Sequence, residues 1–139
     1  MIIRDLISNQ FMDLWVEQQP EHRWKVQVPF MMGGYGDMIV VLIVLEPGQE
    51  LPSHTDDCSE LVVMLGGQIE ATVDGEHEKL VTGQLLAIPL GAAHSFRNSA
   101  PGRARLLSLL PTKTLTTTFN DVVSPLGQRV MQFGGQPPA

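Results

Sequence analysis

A series of short strand-like segments, each closed by turn residues, most constrains how this chain can fold. The clearest is the run from Met38 to Leu45, eight apolar residues of which most are β-branched. It stops at Glu46-Pro47-Gly48, a strong turn signal. A run of this length without helix caps is typical of a strand. We predict a strand here that is buried on both faces.

Similar segments follow at short intervals, and Gly, Pro or Asp-Gly residues separate most of them. Apart from Met38–Leu45, they cover residues 23–28, 60–65, 68–73, 77–80, 85–88, 94–97, 103–110 and 114–119. Asp74-Gly75 is a dipeptide that favours a tight hairpin. Many short strands at this spacing predict an all-β sandwich or barrel.

The length of 139 residues suits one domain with a real core. We divide it into an N-terminal segment, residues 1–22, that packs on the barrel or a dimer partner, a barrel, residues 23–120, and a C-terminal extension, residues 121–139, that ends in a flexible tail. Apolar residues in the first segment suit either a short helix or, over residues 1–6, an edge strand. They are Leu6, Ile7, Phe11, Leu14 and Trp15.

Charge and hydropathy exclude several classes of partner. The net charge is −6 with only nine Lys and Arg residues, so a basic face for nucleic acid is not expected. The longest apolar run has eight residues, against roughly 20 for a membrane span. The start of the chain lacks a secretory leader pattern, and the single cysteine allows no intrachain disulfide. We therefore expect a cytoplasmic protein.

Two motifs with fixed spacing contain the candidate functional residues. The first reads Gly48-x5-His54-x-Asp56-x3-Glu60-x6-Gly67, and the second reads Gly83-x5-Pro89-x-Gly91-x2-His94-x3-Asn98. Together they resemble the two signature motifs of the cupin family. The second matches at every fixed position, whereas the first carries Asp56 where that family usually has a second histidine. The resemblance implies a single-domain cupin double-stranded β-helix, a jelly-roll-like barrel.

The resemblance also implies a divalent metal in the barrel interior, held by His54, Asp56, Glu60 and His94. Residues i and i+2 of a strand point to the same face, so His54 and Asp56 can both face inward. The order His-x-Asp…His resembles the facial triad of non-haem iron oxygenases. Two carboxylates favour iron, manganese, nickel or zinc. The alternative is that Asp56 is too short to reach the metal or points to solvent, which leaves His54, Glu60 and His94.

The leading functional hypothesis is a metal-dependent dioxygenase that acts on a small phenolic or oxo-acid molecule. Glu60 would be its catalytic general base if it does not bind the metal. One alternative is a redox-neutral lyase or isomerase that uses the metal as a Lewis acid. Another is a non-catalytic barrel that binds or senses a small molecule. The resemblance further implies a homodimer.

We also considered three features outside the proposed ligand set. Arg97 and Arg105 are the cations that could bind a substrate carboxylate. Cys58 lies between carboxylates, which raise the pKa of a thiol, so we expect it to be inert. The loop Phe30–Gly36, rich in Gly and Met, either lines the barrel mouth or simply connects two strands.

Overall fold

A computed structural model describes residues 1–6, 10–28 and 35–134 of the chain. This part of the protein contains twelve strands and no helix. The strands are β1 (Met12–Val16), β2 (Gln19–Gln27), β3 (Ile39–Leu45), β4 (Glu50–Asp56), β5 (Glu60–Gly66), β6 (Gln68–Val73), β7 (Glu76–Val81), β8 (Leu85–Ile88), β9 (His94–Arg97), β10 (Ala104–Leu110), β11 (Thr114–Ser124) and β12 (Gln128–Gly134). Most of the Phe30–Gly36 loop and the tail after Gly134 lie outside the described residues.

All the strand pairs are antiparallel, and they join into one continuous sheet that curls into a nearly closed barrel. The order is β7-β6-β9-β4-β11-β1-β2-β3-β10-β5-β8, and β12 adds to β11. Strands that lie side by side are often far apart in the sequence, as β4 and β11 are. The all-β barrel predicted from the sequence is therefore confirmed.

Alternation along each strand decides which residues form the core. In β10, Ala104, Leu106, Ser108 and Leu110 are buried, whereas the residues between them are only half-buried. This is the period of two expected when one face of a sheet packs inward. Arg105 therefore lies on the outer face, where its guanidinium donates a hydrogen bond to the carbonyl of Leu6 at 3.1 Å.

Strand β3 is buried on both faces, as its continuous apolar run predicts. Val41 and Ile43 contribute to the interior core. Leu42 and Val44 point to the other face and are also buried, with 0% and 2% of their surface exposed. The strand pairs with β2 on one side and β10 on the other, so no edge of it is left unpaired.

The first residues form neither the helix nor the edge strand considered from the sequence, within the part of them that is described. Residues 1–5 carry no regular structure, and the first strand begins only at Met12. That strand, β1, lies between β2 and β11 and buries Leu14 and Val16. The apolar residues near the N-terminus thus belong partly to the barrel wall itself.

Some fixed positions of the two motifs have structural roles. The amide of Asn98 is buried and donates hydrogen bonds to the carbonyls of Leu45 and Gly102, both at 2.8 Å. Its side-chain oxygen accepts a hydrogen bond from the backbone of Ala100. Gly67 has a φ of +76°, and a Cβ there would collide with the carbonyl oxygen of Arg103. These positions connect the turns at one end of the barrel.

Candidate metal centre

Strand alternation brings His54 and Asp56 to the same side of β4, facing the barrel interior. Only 5% of His54 and 7% of Asp56 is exposed. Thr55, between them, is half-buried and points the other way. The prediction that both side chains face inward is therefore confirmed, and the alternative that Asp56 points to solvent is wrong.

The remaining two motif residues reach the same place from other strands. Glu60 begins β5, and His94 begins β9, which pairs with β4. His54 and His94 are direct cross-strand partners, and the centroids of their rings lie 4.1 Å apart. Both Glu60 and His94 are buried.

The two imidazoles are oriented by the same local contact. Nδ1 of His54 lies 2.8 Å from the carbonyl oxygen of Pro52, and Nδ1 of His94 lies 2.9 Å from that of Ala92. A carbonyl can only accept, so each Nδ1 must carry the hydrogen and donate it. Each Nε2, when it carries no proton, can then offer a lone pair, which is the state that a metal requires.

The two Nε2 atoms converge on the carboxylate of Asp56. Its Oδ2 lies 3.3 Å from Nε2 of His94 and 3.9 Å from Nε2 of His54. The other oxygen, Oδ1, accepts a hydrogen bond from the hydroxyl of Thr117 at 2.6 Å. One oxygen of Asp56 is thus occupied, and the other faces the histidines.

Glu60 lies beside this group. Its Oε1 lies 3.1 Å from Nε2 of His94, but the two atoms are not aligned for a hydrogen bond, so each is buried without a hydrogen-bond partner. Buried polar atoms without partners are uncommon and suggest that a further group belongs between them. An ion or a ligand would satisfy both atoms.

The donor set fits a divalent transition metal. One atom each of His54, Asp56 and His94 can be chosen so that all three lie within 4.8 Å of one another. Metal–ligand bonds of about 2.0–2.2 Å place neighbouring ligand atoms roughly 3–4 Å apart, similar to the spacings seen here. Glu60 is not a member of this group of three. Two imidazoles and one carboxylate suit iron, manganese, nickel or zinc.

Burial and charge shift the pKa values of the histidines in opposite directions. Burial, reinforced by the positive charge of His94, lowers the pKa of His54 to about 4. Burial acts against charge at His94 too, but the carboxylates of Asp56 and Glu60 outweigh it and raise the pKa of His94 to about 10. These shifts favour a neutral His54 and a protonated His94 when no metal is bound.

The other residues singled out in the sequence lie away from the site or are unreactive. Arg97 is exposed, and Arg105 lies on the outer face of β10. Burial, followed by the nearby Asp56, Asp57 and Glu60 carboxylates, raises the pKa of the Cys58 thiol to about 11. The predicted direction of this shift is confirmed, although burial rather than charge is its largest cause.

An apolar cavity of about 50 Å³ adjoins the candidate ligands. Its lining includes the side chains of His54, Asp56 and Glu60. The walls include aromatic, aliphatic and thioether side chains, among them Trp24, Ile43, Leu115, Phe119 and Met131. Thr117 and Ser108 add two hydroxyls that the sequence analysis did not identify.

Fold and site together define an all-β barrel with a candidate metal centre in its interior, and comparison with known proteins agrees. A cupin domain model matches residues 41–110, half of the chain, and the chain belongs to the cupin family. The sugar phosphate isomerase from Silicibacter pomeroyi, a solved cupin-superfamily structure, covers 99% of this chain and 97% of that one. It superposes with a TM-score of 0.66 at 21% identity, so the likeness shows the fold alone.

Two curated relatives are similar over part of their length. Quercetin 2,3-dioxygenase from Bacillus subtilis (strain 168) is 37% identical over 92 residues, which are 65% of this chain and 27% of that protein. The HTH-type transcriptional regulator PuuR from Escherichia coli (strain K12) is 41% identical over 49 residues, 35% of this chain and 26% of the regulator. The chain thus spans about a quarter of the length of these two relatives.

The described residues contain no helix that is both long enough and apolar enough to cross a membrane.

Proposed function

We propose that this protein is a metal-dependent cupin dioxygenase that acts on a small organic molecule. The observation that carries the proposal is the convergence of the Nε2 atoms of His54 and His94 on Oδ2 of Asp56, at 3.9 and 3.3 Å. Two histidines and one carboxylate form the donor set of non-haem iron oxygenases. The relative named quercetin 2,3-dioxygenase supports the same chemistry.

The residues of the site have different proposed roles. His54, Asp56 and His94 would hold the ion, and Thr117 would keep the Asp56 carboxylate turned so that one oxygen faces it. The apolar walls exclude water from the reacting centre. When bound, iron, manganese or nickel would supply the redox chemistry that dioxygen requires, whereas zinc would supply only a Lewis acid.

Glu60 is the proposed general base. Its Oε1 is buried, lies at the cavity and has no hydrogen-bond partner, so it can accept a proton from a substrate hydroxyl. The alternative is that Glu60 is a fourth ligand, which its 3.1 Å approach to Nε2 of His94 also permits.

A non-catalytic sensing barrel is the second proposal, supported by the match to a transcriptional regulator. A redox-neutral isomerase is less well supported. A sugar phosphate, the substrate type named for the Silicibacter protein, requires cations for its phosphate. Within the described part of the chain, neither Lys nor Arg lines the cavity.

The first test is elemental analysis of protein purified without a histidine tag or chelator. We expect near-stoichiometric metal in the wild type and in the matched control Asp57→Ala, and little metal in Asp56→Ala and His94→Ala. Asp57 is the control because it is the adjacent carboxylate and bonds the backbone of Thr116 instead. Oxygen uptake with small phenols then separates the dioxygenase from the other two functions. A wild type that binds no metal after reconstitution would refute both the metal site and the dioxygenase.

We further propose that the protein is a cytoplasmic homodimer. Leu61 of β5 and Leu85 of the end strand β8 expose 41% and 60% of their surface, which gives this side of the barrel an apolar character. Pairing would cover such a surface and the unpaired strand edge. Sedimentation velocity should give twice the chain mass of 15.3 kDa at tens of micromolar. A single species of chain mass would contradict the dimer.

A further inference from the structure

Ser108 has a buried hydroxyl that no group in the described structure satisfies. The residue is 1% exposed and lies in the middle of β10, on the inner face. Its Oγ has no hydrogen-bond partner, and its side chain lines the same cavity as His54 and Asp56. A polar atom without a partner is uncommon in a protein interior and requires an explanation.

The neighbouring strands cannot provide that partner through their side chains. On β3 the residue opposite Ser108 is Val41, and on β5 it is Val62. Both are buried and apolar. The side chains on either side of the hydroxyl therefore provide no hydrogen-bond donor or acceptor. A partner for Ser108 would have to be a molecule bound in the cavity.

The charges around the cavity decide which molecules can enter. Asp56 and Glu60 are its two charged lining residues among those described, and neither Lys nor Arg lines it. A divalent ion would balance these two carboxylates and leave a site without net charge. Apart from that ion, the described lining then offers no positive side chain to pair with a buried anion. Arg97 and Arg105, considered above for a substrate carboxylate, lie outside the cavity.

The size and flexibility of the walls limit the ligand further. The cavity of about 50 Å³ is about a third of the ~150 Å³ apolar cavity that is known to accept benzene. A ring compound would therefore require some movement of the walls. Met131 lines the cavity, and its unbranched side chain adapts readily to a new neighbour.

We propose that this cavity binds a small, uncharged and mostly apolar molecule with one hydroxyl or carbonyl group, and that Ser108 selects it by a hydrogen bond to that group. The inference deepens the proposed function, since it names the substrate class and a specificity-determining residue. It uses the same cavity but does not depend on redox chemistry. Among the substrates considered from the sequence, it favours the phenolic over the oxo-acid type.

The test uses three probes that share one ring: cyclopentanol, cyclopentane and cyclopentanecarboxylate. Binding is measured on the full chain, both metal-free and loaded with redox-inert Zn²⁺, by the shift of the ¹³C-methyl signal of Met131. The signal of Met64, which is buried but does not line the cavity, is the internal control. The variants are Ser108→Ala and the matched control Ser95→Ala, a half-buried serine of β9 that alternates with the buried His94 and Phe96.

We expect cyclopentanol to bind more tightly than the carboxylate in the wild type and in Ser95→Ala. Ser108→Ala should weaken cyclopentanol binding about three- to tenfold, the effect of one ordinary hydrogen bond, and leave cyclopentane unaffected. Unchanged circular dichroism in Ser108→Ala establishes that the barrel is intact. If Ser108→Ala does not fold, the variant Ser108→Cys is used in its place, and we expect it to lose less cyclopentanol affinity than the alanine variant would.

Three results would overturn the inference. Equal cyclopentanol affinity in Ser108→Ala and wild type would show that the hydroxyl does not bind the ligand. Tighter binding of the carboxylate than of cyclopentanol would refute the uncharged class. No shift of the Met131 signal with any probe would refute ligand binding in this cavity. None of these results depends on oxygen uptake, so failure of the dioxygenase proposal is recorded separately.

Discussion

Thr117 and Asp56 are direct cross-strand partners on β11 and β4, and the hydroxyl of Thr117 donates a 2.6 Å hydrogen bond to Oδ1 of Asp56. This contact is fully buried and leaves Oδ2 as the oxygen that faces the two histidines. Removing a partner that orients a metal ligand from behind typically weakens metal binding about 10- to 100-fold.

Replacing Thr117 with valine should therefore weaken metal binding. The change keeps the shape of the side chain and removes only the hydroxyl, so the loss should be about 10- to 100-fold. Competition with a chelator of known affinity measures it. Thr118→Val is the matched control, because the alternation of β11 turns that side chain to the other face. Equal affinities in the two variants would contradict an orienting role for Thr117.

Glu60→Gln separates the roles of base and ligand. We expect the variant to retain its metal, because Glu60 lies outside the group of three mutually close donors. Turnover should fall about 10²- to 10⁴-fold, the typical contribution of a general base. Metal content and oxygen uptake are measured on the same preparation. Loss of the metal together with activity would instead make Glu60 a fourth ligand.

The ion pair between Glu46 and Arg103 should give a small stabilisation that disappears in acid. Arg103 donates two hydrogen bonds to the carboxylate, at 2.6 and 3.2 Å, and hydrogen bonding from this side chain is the largest cause of the lowered pKa of Glu46. The Glu46 carboxyl thus has a lower pKa in the folded than in the unfolded protein. The stabilisation from the ion pair is therefore present above the unfolded pKa of 4.5 and is lost as the pH falls through the folded pKa.

A double-mutant cycle with Glu46→Ala and Arg103→Ala measures this contribution by urea unfolding. Because 56% of the Arg103 side chain and 30% of the Glu46 side chain are exposed, solvent screens the pair. We expect a coupling free energy of about 0.5 kcal/mol at pH 7 and a smaller one at pH 3. A coupling that persists unchanged at pH 3 would contradict this account.

Gly67→Ala should destabilise the barrel more than Gly75→Ala. Both glycines have positive φ, +76° and +84°, but an added Cβ meets the backbone of Arg103 only at Gly67 and nothing within 4 Å at Gly75. The common backbone cost is about 1 kcal/mol, and the collision at Gly67 should add about 1–3 kcal/mol. Thermal unfolding of the two variants compares them directly. Equal losses would show that the backbone moves aside without cost.

Much of the barrel and of the site follows from local sequence patterns. Strands β6, β8 and β9 begin and end where the alternation and the turn residues predict. His54 and Asp56 were predicted to face inward because a strand repeats every two residues, and they do. This rule depends only on spacing within one strand and not on which strand pairs with it, so it can be applied to the sequence alone.

The residues that were missed depend on contacts between distant parts of the chain. Thr117 meets Asp56 across a separation of 61 residues, and Ser108 faces the cavity because of its register with β3 and β5. Neither residue belongs to a motif, and a lone Thr or Ser in a strand has no distinguishing pattern. Likewise β12, which lies in the predicted C-terminal extension, pairs with β11 through Met131 and its neighbours, and no local pattern in the sequence indicates that pairing.

The two histidines each form their orienting hydrogen bond with a carbonyl only two residues earlier in the chain. The rings are thus aimed by their own segments, and folding alone sets the direction of both nitrogen donors before any ion arrives. An incoming metal would find these donors already in position, and metals of similar radius would experience the same pair. Discrimination between such metals would then rest with the oxygen donors, whose orientation depends on distant strands and on neighbours that substitution can remove.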